Sequence, residues 1–135
     1  MHAVLDTNVL VSALKSQSGA SYEVLRQIRQ GHIRIALTVP LLIEYESVLL
    51  RPGLTPAFTP GQIQSILNYL AALAWHQELY YLWRPCLGDP KDEMVLEAAL
   101  AARMNYIITH NVRDFAPARA TGVQVVTPAQ ALQLL

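Results

Sequence analysis

The chain is short of several things, and each shortage excludes something. Its 135 residues include one cysteine, Cys86, so no intrachain disulfide forms and a reducing cytoplasm is the expected compartment. A lone cysteine reads as a small core residue. Charged residues make up only 15%, and ten Lys and Arg balance ten Asp and Glu. A zero net charge argues against tight nonspecific duplex binding, which basic proteins achieve by charge. No apolar run reaches the roughly 18 residues that span a bilayer, so no membrane contact is expected. MHAVLDTN lacks a basic stretch followed by an apolar core, so no secretory signal is expected. No GxGxxG loop follows a strand, which weakens a nucleotide-binding reading. His2, His32 and His76 show no metal-binding spacing such as HxxxH, so zinc is set aside.

What is present is a hydrophobic content of 53%, enough for one core and one domain over residues 1–135. Ala3-Val4-Leu5 reads as a buried strand, broken by Asp6-Thr7-Asn8, with a short helix over 9–14. Residues 21–30 carry apolar positions at helical spacing and are followed by Gly31, a helix stop. A strand over 33–38 precedes a helix from Pro40 to Leu50, since proline suits the first turn. Three prolines and a glycine make 51–60 a loop, and 61–75 a long apolar helix. Residues 78–83 suggest a strand, 89–104 a helix, 106–108 and 123–126 strands, and Thr127-Pro128 starts a last helix. Strands alternating with helices imply an α/β fold with a mainly parallel central sheet covered on both faces. Sites in such sheets form at the carboxyl ends of strands.

Four acidic residues stand out: Asp6, Glu44, Asp92 and Asp114. Asp6 ends the first strand and reads equally as an N-cap and as a metal ligand. Thr7 and Asn8 beside it are suited to orient its carboxylate. Glu44 is expected on an apolar helix stripe with Leu41, Tyr45, Val48 and Leu49, where a carboxylate is costly unless it holds a metal, pairs with a buried Arg or lies at the stripe's edge. Asp89 reads as an N-cap with Pro90 at the first helical position, and Asp92 follows in the same turn, with Glu93 taken as solvated. Asp114 follows the 106–108 strand by a loop that also offers Thr109 and Asn111 as uncharged donors. His110 on that loop reads as substrate-facing or as structural. Two carboxylates about 5 Å apart repel by about 3 kcal/mol at an effective dielectric near 20. Four gathered acids therefore call for a cation or a proton, and an all-oxygen donor set suits Mg²⁺ or Mn²⁺.

The strings VLDTNVLVSAL, PLLIEYESVLL, DPKDEMVLEAAL and YIITHNVRDF, in this order, resemble the motifs of the PIN domain family of metal-dependent ribonucleases, across essentially the whole chain. The resemblance implies a three-layer α/β/α sandwich, with Asp6, Glu44, Asp92 and Asp114 as both catalytic and metal-holding residues. It is strongest to the small bacterial VapC-like group, many of them toxins of toxin–antitoxin pairs. That implies an RNA substrate, an antitoxin protein as partner and a homodimer. Asn111 stands where some members carry Asp, so one ion is expected before a second.

In this reading the ion activates a water and stabilises phosphate charge, and Asp92 is suited to take a proton from the attacking water. Lys15, Lys91 and Arg113 are candidates to steady the RNA backbone. The alternative is a PIN-like module that binds RNA or protein without cutting. Ile63, Ile66, Leu67, Tyr69, Leu70, Leu73 and Trp75 exceed what one buried helix face needs, which fits either core or a dimer or antitoxin groove.

Overall fold

A computed structural model of the chain describes residues 1–79 and 87–135. The chain runs through β1 (His2–Leu5), α1 (Thr7–Lys15), α2 (Ala20–Arg29), β2 (Arg34–Leu37), α3 (Val39–Leu49), α4 (Pro60–Leu73), β3 (Trp75–His76), α5 (Pro90–Ala101), β4 (Tyr106–Ile108), a 3₁₀ helix (Val112–Thr121), β5 (Gln124–Val126) and α6 (Pro128–Gln133). The strands form one parallel sheet in the order β3-β2-β1-β4-β5. Past His2, every residue of β1 is buried, as expected for a central strand covered on both faces. Helix α5 packs on β1, β2 and β4, whereas α1, α2 and α6 pack in series. This is the layered α/β arrangement expected from the alternation of elements.

Local chemistry explains most boundaries. In α2, Val24 and Ile28 face the core, and Gly31 leaves the helix at φ +85°, a conformation glycine adopts without strain. Thr38, Thr59 and Thr127 each cap a helix whose first turn contains proline, and the last two form full capping boxes with Gln62 and Gln130.

The differences are also local. Helix α4 stops at Leu73, and the edge strand is Trp75–His76, upstream of the 78–83 segment expected from the aromatics. Residues 80–86, including Cys86 and most of that segment, lie outside the described residues. Helix α5 ends at Ala101, and Arg103 follows at φ +55°, so the helix does not continue to 104. Residues 112–121 form a 3₁₀ helix that contains Pro117, so the loop expected over 109–113 ends two residues early. Glu93 is buried, not solvated, and its Oε1 accepts a bond from the Leu87 amide. Among the described residues no helix is long and apolar enough to cross a membrane.

The topology fixes where a site forms. From β1 the chain steps to β2 and β3 on one side, then returns to place β4 on the other side. The order reverses at β1 and β4, and the carboxyl ends of strands at such a point are where α/β sheets form their sites. Leu5 is in register with Ile108, so Asp6 and Thr109 emerge side by side.

Candidate functional site

Asp6 sits at that point, only 8% exposed. Its backbone is extended and caps α1: Oδ1 accepts from the Thr7 amide at 2.8 Å. Its other oxygen, Oδ2, accepts from the Thr109 hydroxyl at 2.7 Å. Capping and site-building are thus one arrangement, because the cap uses only one carboxylate oxygen. Thr109 is fully buried and itself fixed: its oxygen accepts from the Asn111 amide at 3.0 Å and from Asn8 Nδ2 at 3.5 Å. Asn8 Oδ1 in turn accepts from the His110 amide at 3.3 Å. Of the four orienting residues expected from sequence, Thr7 and Asn111 act through backbone N–H groups, and Thr109 and Asn8 through side chains.

Asp92 and Asp114 complete an electrostatic group with Asp6. Burial raises the Asp6 pKa above the usual carboxylate value, opposed by the Thr109 and Thr7 bonds and by His110, and reinforced by Asp114. Asp92 is half-buried in the first turn of α5 and is pushed up to about 6. Burial is the largest cause, followed by the carboxylates of Asp6, Asp89, Asp114 and Glu93. Asp89 is the N-cap of α5, accepting from the Lys91 amide at 2.8 Å. Asp114 is exposed in the first turn of the 3₁₀ helix.

Glu44 is placed differently. Leu41, Tyr45 and Leu49 are the buried stripe of α3, and Glu44 lies beside it, its side chain 14% exposed. Its Oε1 lies 3.6 Å from Lys91 Nζ. The structure therefore ties Glu44 to the residue preceding Asp92. Tyr45 draws α3 to the site from the other side: its buried hydroxyl donates to the Leu5 carbonyl, one residue before Asp6. Burial raises the Tyr45 pKa well above its usual value, and the Asp6 charge adds to this. Sequence reasoning placed Tyr45 on an apolar stripe; a Tyr there, where Phe would pack, is the signal of a buried hydroxyl seeking an acceptor.

Of the basic candidates, only Lys91 is joined to an acid of the site. Lys15 occupies the far end of α1 from Asp6, about 13 Å along the axis at 1.5 Å per residue. Arg113 is exposed beside Asp114.

Among the described residues, no three His, Cys, Asp or Glu side chains are gathered tightly enough to hold a metal ion as they stand. The chemistry of the set still fits a hard divalent cation. Asp6, Asp92 and Asp114 are mutually repelling carboxylates, two with raised proton affinity, and carboxylate oxygens are the donors that a hard divalent cation takes. Asp6, Asp92 and Asp114 form the electrostatic group, and Glu44 adjoins it through Lys91.

A family model described as PIN domain matches residues 2–113, the greater part of the chain. Among solved structures, VapBC2 from Rickettsia felis bound to a DNA fragment from their promoter is similar with a TM-score of 0.63 at 17% identity, covering 94% of this chain and 98% of that one. At that identity the likeness shows a shared fold. No curated protein sequence matches.

Proposed function

The chain belongs to the PIN domain family, and on that premise we propose that it is a metal-dependent ribonuclease acting as the toxin of a toxin–antitoxin pair in the cytoplasm. The observation that carries the proposal is the buried, hydrogen-bonded Asp6 at the switch point of the sheet, electrostatically coupled to Asp92 and Asp114. Asp6, Asp92, Asp114 and, once released by Lys91, Glu44 would hold Mg²⁺ or Mn²⁺. Bound there, the cation supplies Lewis-acid stabilisation of phosphate charge and an acidified water. The chain's own residues do the rest. Thr109 and the Thr7 amide fix the Asp6 carboxylate. Asp92, which shares the electrostatic group of Asp6 and Asp114, is the carboxylate that would accept a proton from the attacking water. The similar fold of a toxin–antitoxin complex supports the partner assignment. The test is incubation of structured RNAs with the purified protein in Mn²⁺ and in EDTA. Cleavage in Mn²⁺ alone is expected, and intact RNA in both would leave a non-cleaving binding module.

Lys91 and Glu44 give a graded prediction. Their ion pair is half-exposed on the lysine side, so it adds little stability, but its ammonium competes for a carboxylate that the ion needs. Lys91→Met is expected to tighten Mn²⁺ binding by up to about fivefold, the scale of such a pair. Weaker binding in a calorimetric titration would show instead that Lys91 supports the site.

The partner proposal also includes a second copy of the chain. Ile63, Leu67 and Leu70 are buried, as the core reading of the apolar surplus expects, while Tyr69, Leu73 and Trp75 of the same segment are exposed and are the residues a second copy would cover. Sedimentation at micromolar concentration is expected to show a dimer, and a clean monomer counts against it.

A further inference from the structure

His110 lies between Thr109, which holds Asp6, and Asn111, at the carboxyl end of β4. Its side chain is exposed but tethered. Nε2 lies 2.8 Å from the hydroxyl of Ser21, near the start of α2. Ser21 is only 2% exposed, so a buried hydroxyl is directed at an exposed ring. The backbone on which the ring stands is held as well, by the bond from the His110 amide to Asn8. With Nε2 engaged, Nδ1 is left as the ring's second hydrogen-bonding atom.

A polyanion approaching a group of carboxylates needs nitrogen donors at the rim. Lys15 is at the wrong end of α1, and Lys91 and Arg113 are exposed on long side chains. Of these candidates and His110, it is His110 that a side-chain hydrogen bond orients in advance. A donor already fixed loses less conformational freedom when it binds.

We propose that His110 contacts the RNA, its ring donating through Nδ1 to a backbone phosphate oxygen beside the acidic residues, and that Ser21 is the positioning residue that holds the ring in place. This rests on the ribonuclease reading above. In the acceptor role for Nε2, the Ser21 hydroxyl donates to it and Nδ1 carries the proton; in the charged ring both nitrogens donate.

The test measures three quantities on the wild-type chain, His110→Ala and Ser21→Ala. These are the Kd for a fluorescent RNA oligonucleotide in EDTA, KM and kcat in Mn²⁺, and the Kd for Mn²⁺ alone. His110→Ala is expected to weaken RNA binding and raise KM by about tenfold, the loss of one hydrogen bond to a charged group, with kcat nearly unchanged. Ser21→Ala is expected to do the same by about threefold, because the ring remains but is no longer oriented. The Mn²⁺ Kd is expected to stay at the wild-type value in both. RNA affinity and KM within twofold of wild type in both variants would overturn the inference and leave the ribonuclease reading intact. Parallel loss of Mn²⁺ affinity would also overturn it, since His110 would then be shaping the acids. If His110→Ala does not fold, Ser21→Ala alone decides. A wild-type chain that neither cleaves nor binds RNA overturns both readings.

Discussion

Asp6→Asn is expected to lower Mn²⁺-dependent RNA cleavage by about 100-fold or more, the usual effect of removing a central electrostatic group, while leaving the fold intact. The structural role of Asp6 needs only an acceptor oxygen. Asparagine retains one, and it is among the best N-cap residues, so the cap of α1 survives. What is lost is the negative charge. Burial already disfavours that charge, as the raised Asp6 pKa shows. The neutral amide therefore removes a cost: the metal-free variant is expected to melt at or above the wild-type temperature. With its oxygen on the Thr7 amide, the new side chain turns its nitrogen to the Thr109 hydroxyl, which accepts it by giving up the long 3.5 Å contact from Asn8. Cleavage assays and thermal melts on the same samples decide the matter. Full activity would remove Asp6 from the metal site, and a collapsed melting temperature would make its role structural.

The contrast between what Asp6 announces and what Glu44 conceals shows where sequence reading reaches its limit. Features set by neighbouring residues were legible: the break at Asp6-Thr7-Asn8, the Gly31 stop, and the proline starts after Thr38, Asp89 and Thr127. Each rests on backbone geometry or a cap satisfied within four residues. Features set by distant partners were not. The Ser21–His110 bond joins residues 89 apart, and nothing near either one signals it. Glu44 was expected to be costly on its helix face, but its ion pair with Lys91 depends on how α3 meets α5. Glu93 looked solvated because it neighbours a charged run, yet the Leu87 amide turns it inward. The two-residue β3 is too short for any periodicity to show, and the 3₁₀ helix has no strong sequence period of its own. The four acids were legible as a set because each follows a recognisable element boundary or stripe; that Asp6, Asp92 and Asp114 act as one electrostatic group while Glu44 is held by Lys91 is tertiary information.

Divalent-ion affinity is expected to fall as pH drops below 6, by about tenfold per pH unit for one displaced proton. The sign follows from Asp92. Its folded pKa, about 6, lies above the ordinary carboxylate value, with burial the first cause and the neighbouring carboxylates the second. The folded chain therefore takes up a proton at a pH where the unfolded chain does not. The associated stabilisation is present in full below the ordinary carboxylate range and is lost as pH rises through about 6. Metal-free protein is thus expected to melt higher at pH 5 than at pH 7, and Asp6, raised in the same direction, steepens the trend. A bound cation reverses the preference, because it requires both carboxylates ionised. Stability with saturating Mn²⁺ should then rise between pH 5 and pH 7, opposite to the metal-free protein. Asp92→Asn separates the two contributions: it weakens ion binding at pH 7 and flattens the metal-free pH trend. Calorimetric Mn²⁺ titrations at pH 5, 6 and 7, in buffers of different ionisation enthalpy, would count the protons released. An affinity unchanged across that range, with no proton release, would place the ion away from Asp92 and leave its raised pKa a consequence of burial at the start of α5.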